Sequence, residues 1–248
     1  IEDIWGYVPS FSNPIKEMLV ASENDVCEVV KKLKDVWNVG EDGILSVTDL
    51  LESKNIKVVE ISADSSFDGL SGYVNNDENM PFVVVNKSFD VERLRFTGLH
   101  ELGHLVMKLP EEMEKKDKER LCNLFANEML ISQDVFIEVL GERRSDISLQ
   151  ELRVLQAVYG ISVDALMFKA KTLGVISESK HTSFCIRKNK SLAFKEAVEK
   201  SSYRGVEESS RFERLVYRAL ASDMISCSKA AVLLDEPMEE VKNKLELV

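Results

Sequence analysis

Histidine and cysteine are scarce in this 248-residue chain, with three and four copies, and there are only five prolines. The cysteines (Cys27, Cys122, Cys185 and Cys227) lie far apart, with no C-x-x-C pair, which reads as reduced thiols in a cytoplasmic protein. Long apolar runs are missing too. Stretches such as Phe82 to Val85 are far too short to cross a bilayer, so no membrane association is expected. No basic segment followed by an apolar one opens the chain, so no secretory signal is visible. Positive charge is also in deficit, with a formal net charge of −11. The most basic stretch, Arg187 to Lys200, still holds Glu196 and Glu199, whereas counterion release on DNA needs clustered Lys and Arg. Direct DNA binding by this chain is therefore not expected. What remains is globular: 44% hydrophobic and 30% charged residues, enough for one large domain or two small ones.

No internal repeat or low-complexity tract interrupts the chain. Its start, with Trp5, Pro9 and Pro14, reads as irregular, and residues 1–20 as a linker or the tail of an upstream domain; the missing initiator Met fits a trimmed fusion. Val26, Val29, Val30, Leu33 and Trp37 recur at helical spacing until Gly40, and a short helix is expected over Val47 to Ser53. The period then changes. Ile56 to Ile61, Leu70 to Val74 and Pro81 to Asn86 are β-rich and divided by Gly, Asn and Asp turns, which predicts a small, mostly antiparallel sheet. After Ser88 and Asp90 a helix is expected to Lys108, stopped by Pro110, followed by a charged, solvated connector over Glu111 to Arg120. Further helical patterns cover Lys118 to Ile131, Ser132 to Leu140, Ser148 to Tyr159, Ser162 to Leu173, Ser209 to Ala221, Ser226 to Leu234 and Pro237 to Leu245. The expectation is an α+β fold, with a principal domain over 21–177 and a helical C-terminal domain over 178–248, the boundary lying near Ser177.

One motif stands out. His100-Glu101-Leu102-Gly103-His104 is an H-E-x-x-H sequence inside a predicted helix. Four residues make about 1.1 helical turns, so both imidazoles project from one face toward one point, as two ligands of a tetrahedral metal would. Glu101 lies about 100° round the helix, near the metal but outside its ligand set, where it can take a proton from a water activated by the cation. A random chain of this composition would show the motif roughly once in 250. The third ligand is open on spacing alone. His181 is the remaining histidine, and a His₂Glu set is an established catalytic zinc arrangement. Glu119 shares a helix face with Cys122, Asn123 and Ala126, whose small side chains allow close approach to the histidine helix. An ordinary acidic residue in a first helical turn explains Glu119 as well. Glu128, nine residues on, points about 180° away and cannot serve the same site.

These residues resemble the ImmA/IrrE family of metallo-endopeptidases, which carries an H-E-x-G-H helix followed by E-x-x-A-N-x-F-A. Here the matching segments are Arg95 to His104 and Glu119 to Ala126, with Cys122 where Ala is usual and Ser132 where Pro commonly stands. The Asp68 to Gly72 turn, the Val83 to Asn86 strand, Ile147 to Leu166 and Ala170 to Ser177 also look similar. The resemblance implies a zincin-like fold, with the sheet packed on the H-E-x-x-H helix and its ligand helix. It also implies His100, His104 and Glu119 as ligands of one Zn²⁺, with another divalent ion such as Mn²⁺ as the variant, and Glu101 as general base. The implied activity is cleavage of a helix-turn-helix repressor of the XRE type, which derepresses mobile-element or stress-response genes. The rival reading is a non-catalytic module that senses a ligand or docks a repressor.

Weaker signals complete the sequence picture. Tyr73 and His181 are candidate donors to the oxyanion of a tetrahedral intermediate. The strand Pro81 to Asn86 reads equally as an edge for an extended peptide and as an interior strand. Helix, Gly160 turn and helix over Ile147 to Leu166 imitate a helix-turn-helix, but Asp164, Lys169 and Lys171 are poor readers of base edges, so packing around a local core is the better account.

Overall fold

Serine sets most helix starts. In the computed structural model, which describes residues 1–6 and 10–245, Ser22 caps α1 (Glu23–Trp37) in a capping box with Asp25, and Ser46 caps α2 (Val47–Ser53). Pro9, one mark of the irregular start, and residues 246–248 of the expected C-terminal domain lie outside the described residues. Among the described residues three strands follow, β1 (Lys57–Ile61), β2 (Gly69–Tyr73) and β3 (Pro81–Asn86).

The fold is α+β, but the sheet is mixed rather than mostly antiparallel. Its order is β1-β3-β2, with β1 parallel and β2 antiparallel to β3. Alternation along a sequence reports which residues form a strand, not which strand lies beside it. Central placement also removes β3 as an edge for a peptide. Pro81 is tolerated there because it is the first residue of the strand. At the other end the buried Asn86 amide donates to the carbonyls of Ala63, Asp64 and Phe67 and so organises the loop entering β2.

Two 16-residue helices come next, α3 (Val91–Val106) and α4 (Lys115–Leu130). The second begins inside the stretch expected to be a solvated connector. Lys, Glu and Arg are good helix formers, so a run of charge marks a wet helix face as readily as a loop. Six shorter helices complete most of the chain: α5 (Gln133–Leu140), α6 (Leu149–Tyr159), α7 (Val163–Thr172), α8 (Glu178–Lys190), α9 (Leu192–Glu199) and α10 (Arg211–Ala221). The described residues end with α11 (Cys227–Leu234) and α12 (Met238–Lys244). Helices α8 and α9 do not show in the hydrophobic pattern, because each buries one residue, Phe184 and Val198.

One large core runs from Phe11 to Val198, and a small second cluster joins Val216, Leu220, Ala230 and Val241. Helix α3 is the hub of the large core: α4 packs on one side, β2 and β3 on another, and α2 meets its middle at Gly98. Among the described residues no helix is long and apolar enough to cross a membrane.

Candidate metal centre

The α3 helix presents His100 and His104 side by side. Their rings are 4.8 Å apart and steeply inclined, and the two Nε2 atoms are 3.1 Å apart. Across the groove α4 supplies Glu119, whose Oε2 is 3.2 Å from His100 Nε2 and 3.5 Å from His104 Nε2. Among the described residues, these three form the one group of His, Cys, Asp or Glu placed closely enough to hold a metal ion. Bonds of about 2.0–2.1 Å in a tetrahedral zinc site set neighbouring donors about 3.3–3.4 Å apart. The three observed separations scatter around that value, and two imidazoles with a carboxylate are a donor set zinc accepts. The residues present fit the ion.

The outer ring nitrogens are occupied in the sense this geometry needs. His100 Nδ1 lies 2.9 Å from Asn123 Oδ1. Because an amide oxygen only accepts, Nδ1 carries the proton and Nε2 keeps its lone pair. His104 Nδ1 is 3.5 Å from the Cys122 sulfur. Burial, with the negative charges of Glu119 and Glu101 beside it, pushes the Cys122 thiol up to about 12, so the sulfur is a neutral, weak partner. The close approach of the two helices depends on Gly103. A Cβ there would lie 3.3 Å from Phe125 Cδ1 and 3.5 Å from the Cys122 Cα. The small face inferred for Cys122 and Ala126 is therefore real, and both are fully buried.

Glu101 stands beside the cluster, outside it. It is 8% exposed, and its Oε2 accepts a hydrogen bond of 2.7 Å from Ser71 Oγ on β2. In the sequence Ser71 belonged only to a β-rich run and the turn before it; nothing local tied it to a residue 30 positions away. Strand β2 pairs only with β3, so among the described residues its other edge carries no strand.

The remaining candidates lie elsewhere. Tyr73, at the end of β2, donates through its hydroxyl to the Leu105 carbonyl at 2.7 Å. His181 lies on α8, with its ring against Phe168 and 3.9 Å from the Cys185 sulfur; it is not brought to the other two histidines. Glu128 faces inward and pairs with Lys169 of α7, whose ammonium burial pushes down and Glu128 raises. Lys169 is thus a core residue and not part of a basic reading face.

Residues 51–171, just under half of the chain, match the family model described as Peptidase_M78, IrrE N-terminal-like domain. No curated protein matches the chain. The matched segment contains β1 to β3, α3, α4 and every residue of the cluster described above.

Proposed function

Given a peptidase domain of the IrrE N-terminal-like type, we propose that the chain is a zinc-dependent endopeptidase in which His100, His104 and Glu119 hold the metal and Glu101 is the general base. The observation that carries this reading is the convergence of three donor atoms from two helices at tetrahedral spacing, with a second carboxylate, Glu101, beside them and outside the set. A structural site has no need of that last group.

The ion, when bound, supplies Lewis acidity that lowers the pKa of water toward ~7. The chain's own residues do the rest. Glu101 accepts the proton of the attacking water and later returns it to the leaving amine. Ser71 donates to the Glu101 carboxylate and fixes which way it faces. The open edge of β2 offers backbone donors and acceptors to an extended peptide, which would set a scissile carbonyl near Glu101. The Tyr73 hydroxyl, now given to Leu105, is a candidate oxyanion donor once freed, and His181 has no such neighbourhood.

The substrate class follows from the resemblance: a cytoplasmic XRE-type repressor, cut so that its genes are released. The peptidase acts on a DNA-binding protein without gripping DNA itself, in keeping with its charge of −11 and the inward-turned Lys169. The test combines metal analysis of the purified chain with incubation against purified XRE-type repressors. About one zinc per chain and discrete repressor fragments that disappear with a chelator are expected. A repressor left intact by the metal-loaded chain would sink the assignment of substrate. Loss of cutting on every protein tried, with metal bound, would favour a docking module.

A further inference from the structure

A cavity of about 430 Å³ opens between the start of α3 and helices α6, α7, α8 and α9, and one residue of its wall stands next to the metal cluster. That residue is Phe96, one helical turn before His100, with ring centroids 6.3 Å apart. Ile161, Ala165 and Val198 make the other sides apolar. Two buried polar residues also line the cavity, Glu92 at 6% exposure and Gln156 at 2%. Gln156 Nε2 donates to Glu92 Oε1 at 2.9 Å, and the same oxygen accepts from Ser201 Oγ at 2.5 Å. The Gln156 amide cannot be turned over without setting its oxygen against a carboxylate. Its Oε1 is therefore fixed as an acceptor, and among the described residues it has no donor. A buried amide oxygen without a partner costs stability, and such orphans in a folded protein ask for an explanation.

The cations at the rim do not answer it. Lys188 is held by Asp164 and Glu199, and Arg93 by Asp68. The cavity thus has apolar walls and an acceptor-rich, negatively charged end, close to the atoms proposed for peptide cleavage. We propose that it receives the side chain of a substrate residue flanking the scissile bond and selects arginine or lysine there. The apolar shaft lies between Phe96, Ile161 and Val198, and the cationic tip meets Glu92 and Gln156. This rests on the peptidase reading above but is tested apart from it.

Two measurements on the full chain do so. In the first, the zinc-loaded protein is given a mixture of random peptides, and the residues around each cut are read by mass spectrometry. Arg and Lys should be enriched at one flanking position. In the second, N-acetyl-arginine amide and N-acetyl-norleucine amide are titrated into the Glu101→Gln protein and followed by calorimetry. The arginine probe should bind roughly 10–100-fold more tightly, the span of one or two charge-assisted hydrogen bonds. Gln156→Leu should remove that preference. Ala165→Phe, which fills the cavity without touching a hydrogen bond, should abolish binding of both probes and keeps the test sound if Gln156→Leu does not fold. Cleavage without Arg or Lys enrichment overturns the cavity's role and leaves the peptidase standing. Probe discrimination without any cleavage does the reverse. Equal binding of the two probes, or discrimination that survives both variants, ends the proposal.

Discussion

Arg95 and His104 stand nine residues apart on α3, about 180° round the helix, and their surroundings are opposite in kind. Arg95 is fully buried and saturated. It donates to the carbonyls of Ile44, Leu45, Tyr159 and Gly160, to the Tyr203 hydroxyl and to the Glu207 carboxylate. Gly160 is required there: it has φ +59°, and a Cβ would lie 2.3 Å from Arg95 Nε. Glu207 also accepts from the backbone N–H groups of Val47 and Thr48, so one carboxylate 160 residues downstream closes the start of α2 and neutralises the guanidinium. The front of the helix has nothing comparable. His100, His104 and Glu119 are 15%, 30% and 40% exposed in their side chains, and they converge on each other instead of on satisfied partners. The difference separates two jobs along one helix. The back fixes the helix's rotation with the Arg95 charge answered, and the front holds lone pairs at a set spacing because the back cannot move.

That contrast predicts where substitutions are felt. The largest effect belongs to the back. Arg95→Met strands a buried carboxylate and should cost about 3–5 kcal/mol in urea denaturation of the metal-free chain. Adding Glu207→Leu should recover part of the loss, since two apolar residues leave no charge unpaired. A cost below about 1 kcal/mol would mean that packing alone orients α3.

The front should lose function while keeping its fold. Glu101→Gln retains shape and the hydrogen bond from Ser71 but takes no proton at neutral pH. Turnover should fall roughly a hundredfold or more, about 2.7 kcal/mol of barrier, with metal content and melting temperature unchanged. Full activity in this variant ends the general-base assignment, and loss of the metal would instead make Glu101 a ligand.

The same two faces show what a sequence can carry. The i, i+4 spacing of His100 and His104 is local, so the pair and the flanking Glu101 were legible from the helix period alone. Glu119 needed the resemblance, because it stands 15 positions after His104 and on a different helix. Arg95 entered the sequence reading only as the first residue of the segment that carries the resemblance. Its meaning depends on Glu207, 112 positions away in a segment with no helix or strand of its own. Strand order was hidden for the same reason: β1 and β3 are parallel neighbours with β2 between them in the chain, and no alternation pattern encodes that.

Between the two faces lie the supports of the imidazoles, where effects should be intermediate. Asn123→Ala removes the acceptor that sets the tautomer of His100. Loss of such an outer partner typically weakens metal binding by about 10–100-fold. A competition titration with a chromophoric chelator reads this directly, and the melting temperature of the metal-free chain should hardly move because Asn123 sits at the surface. An unchanged affinity would show that the His100 ring is held by packing against Phe96 and α4.

Cys122 should matter least, although it touches the other imidazole. A thiol whose pKa stands at about 12 is neutral at any working pH, and neutral sulfur at 3.5 Å is a poor acceptor beside an amide oxygen at 2.9 Å. Cys122→Ala also keeps the side chain small, so α3 and α4 can still meet at Gly103. The expected change in metal affinity is under about tenfold, below the range for Asn123→Ala. The same burial predicts chemistry: because the thiolate is the nucleophile, Cys122 should resist alkylation at pH 8 in the folded chain while the half-buried Cys185 and Cys227 react. Metal-free protein is the sharper test, since a cation near Cys122 would draw the thiol toward ionisation and expose any difference between the loaded and unloaded states. Equal losses of affinity in Cys122→Ala and Asn123→Ala would mean that sulfur and amide support the two histidines alike, and that the front of α3 is built more symmetrically than its hydrogen bonds suggest.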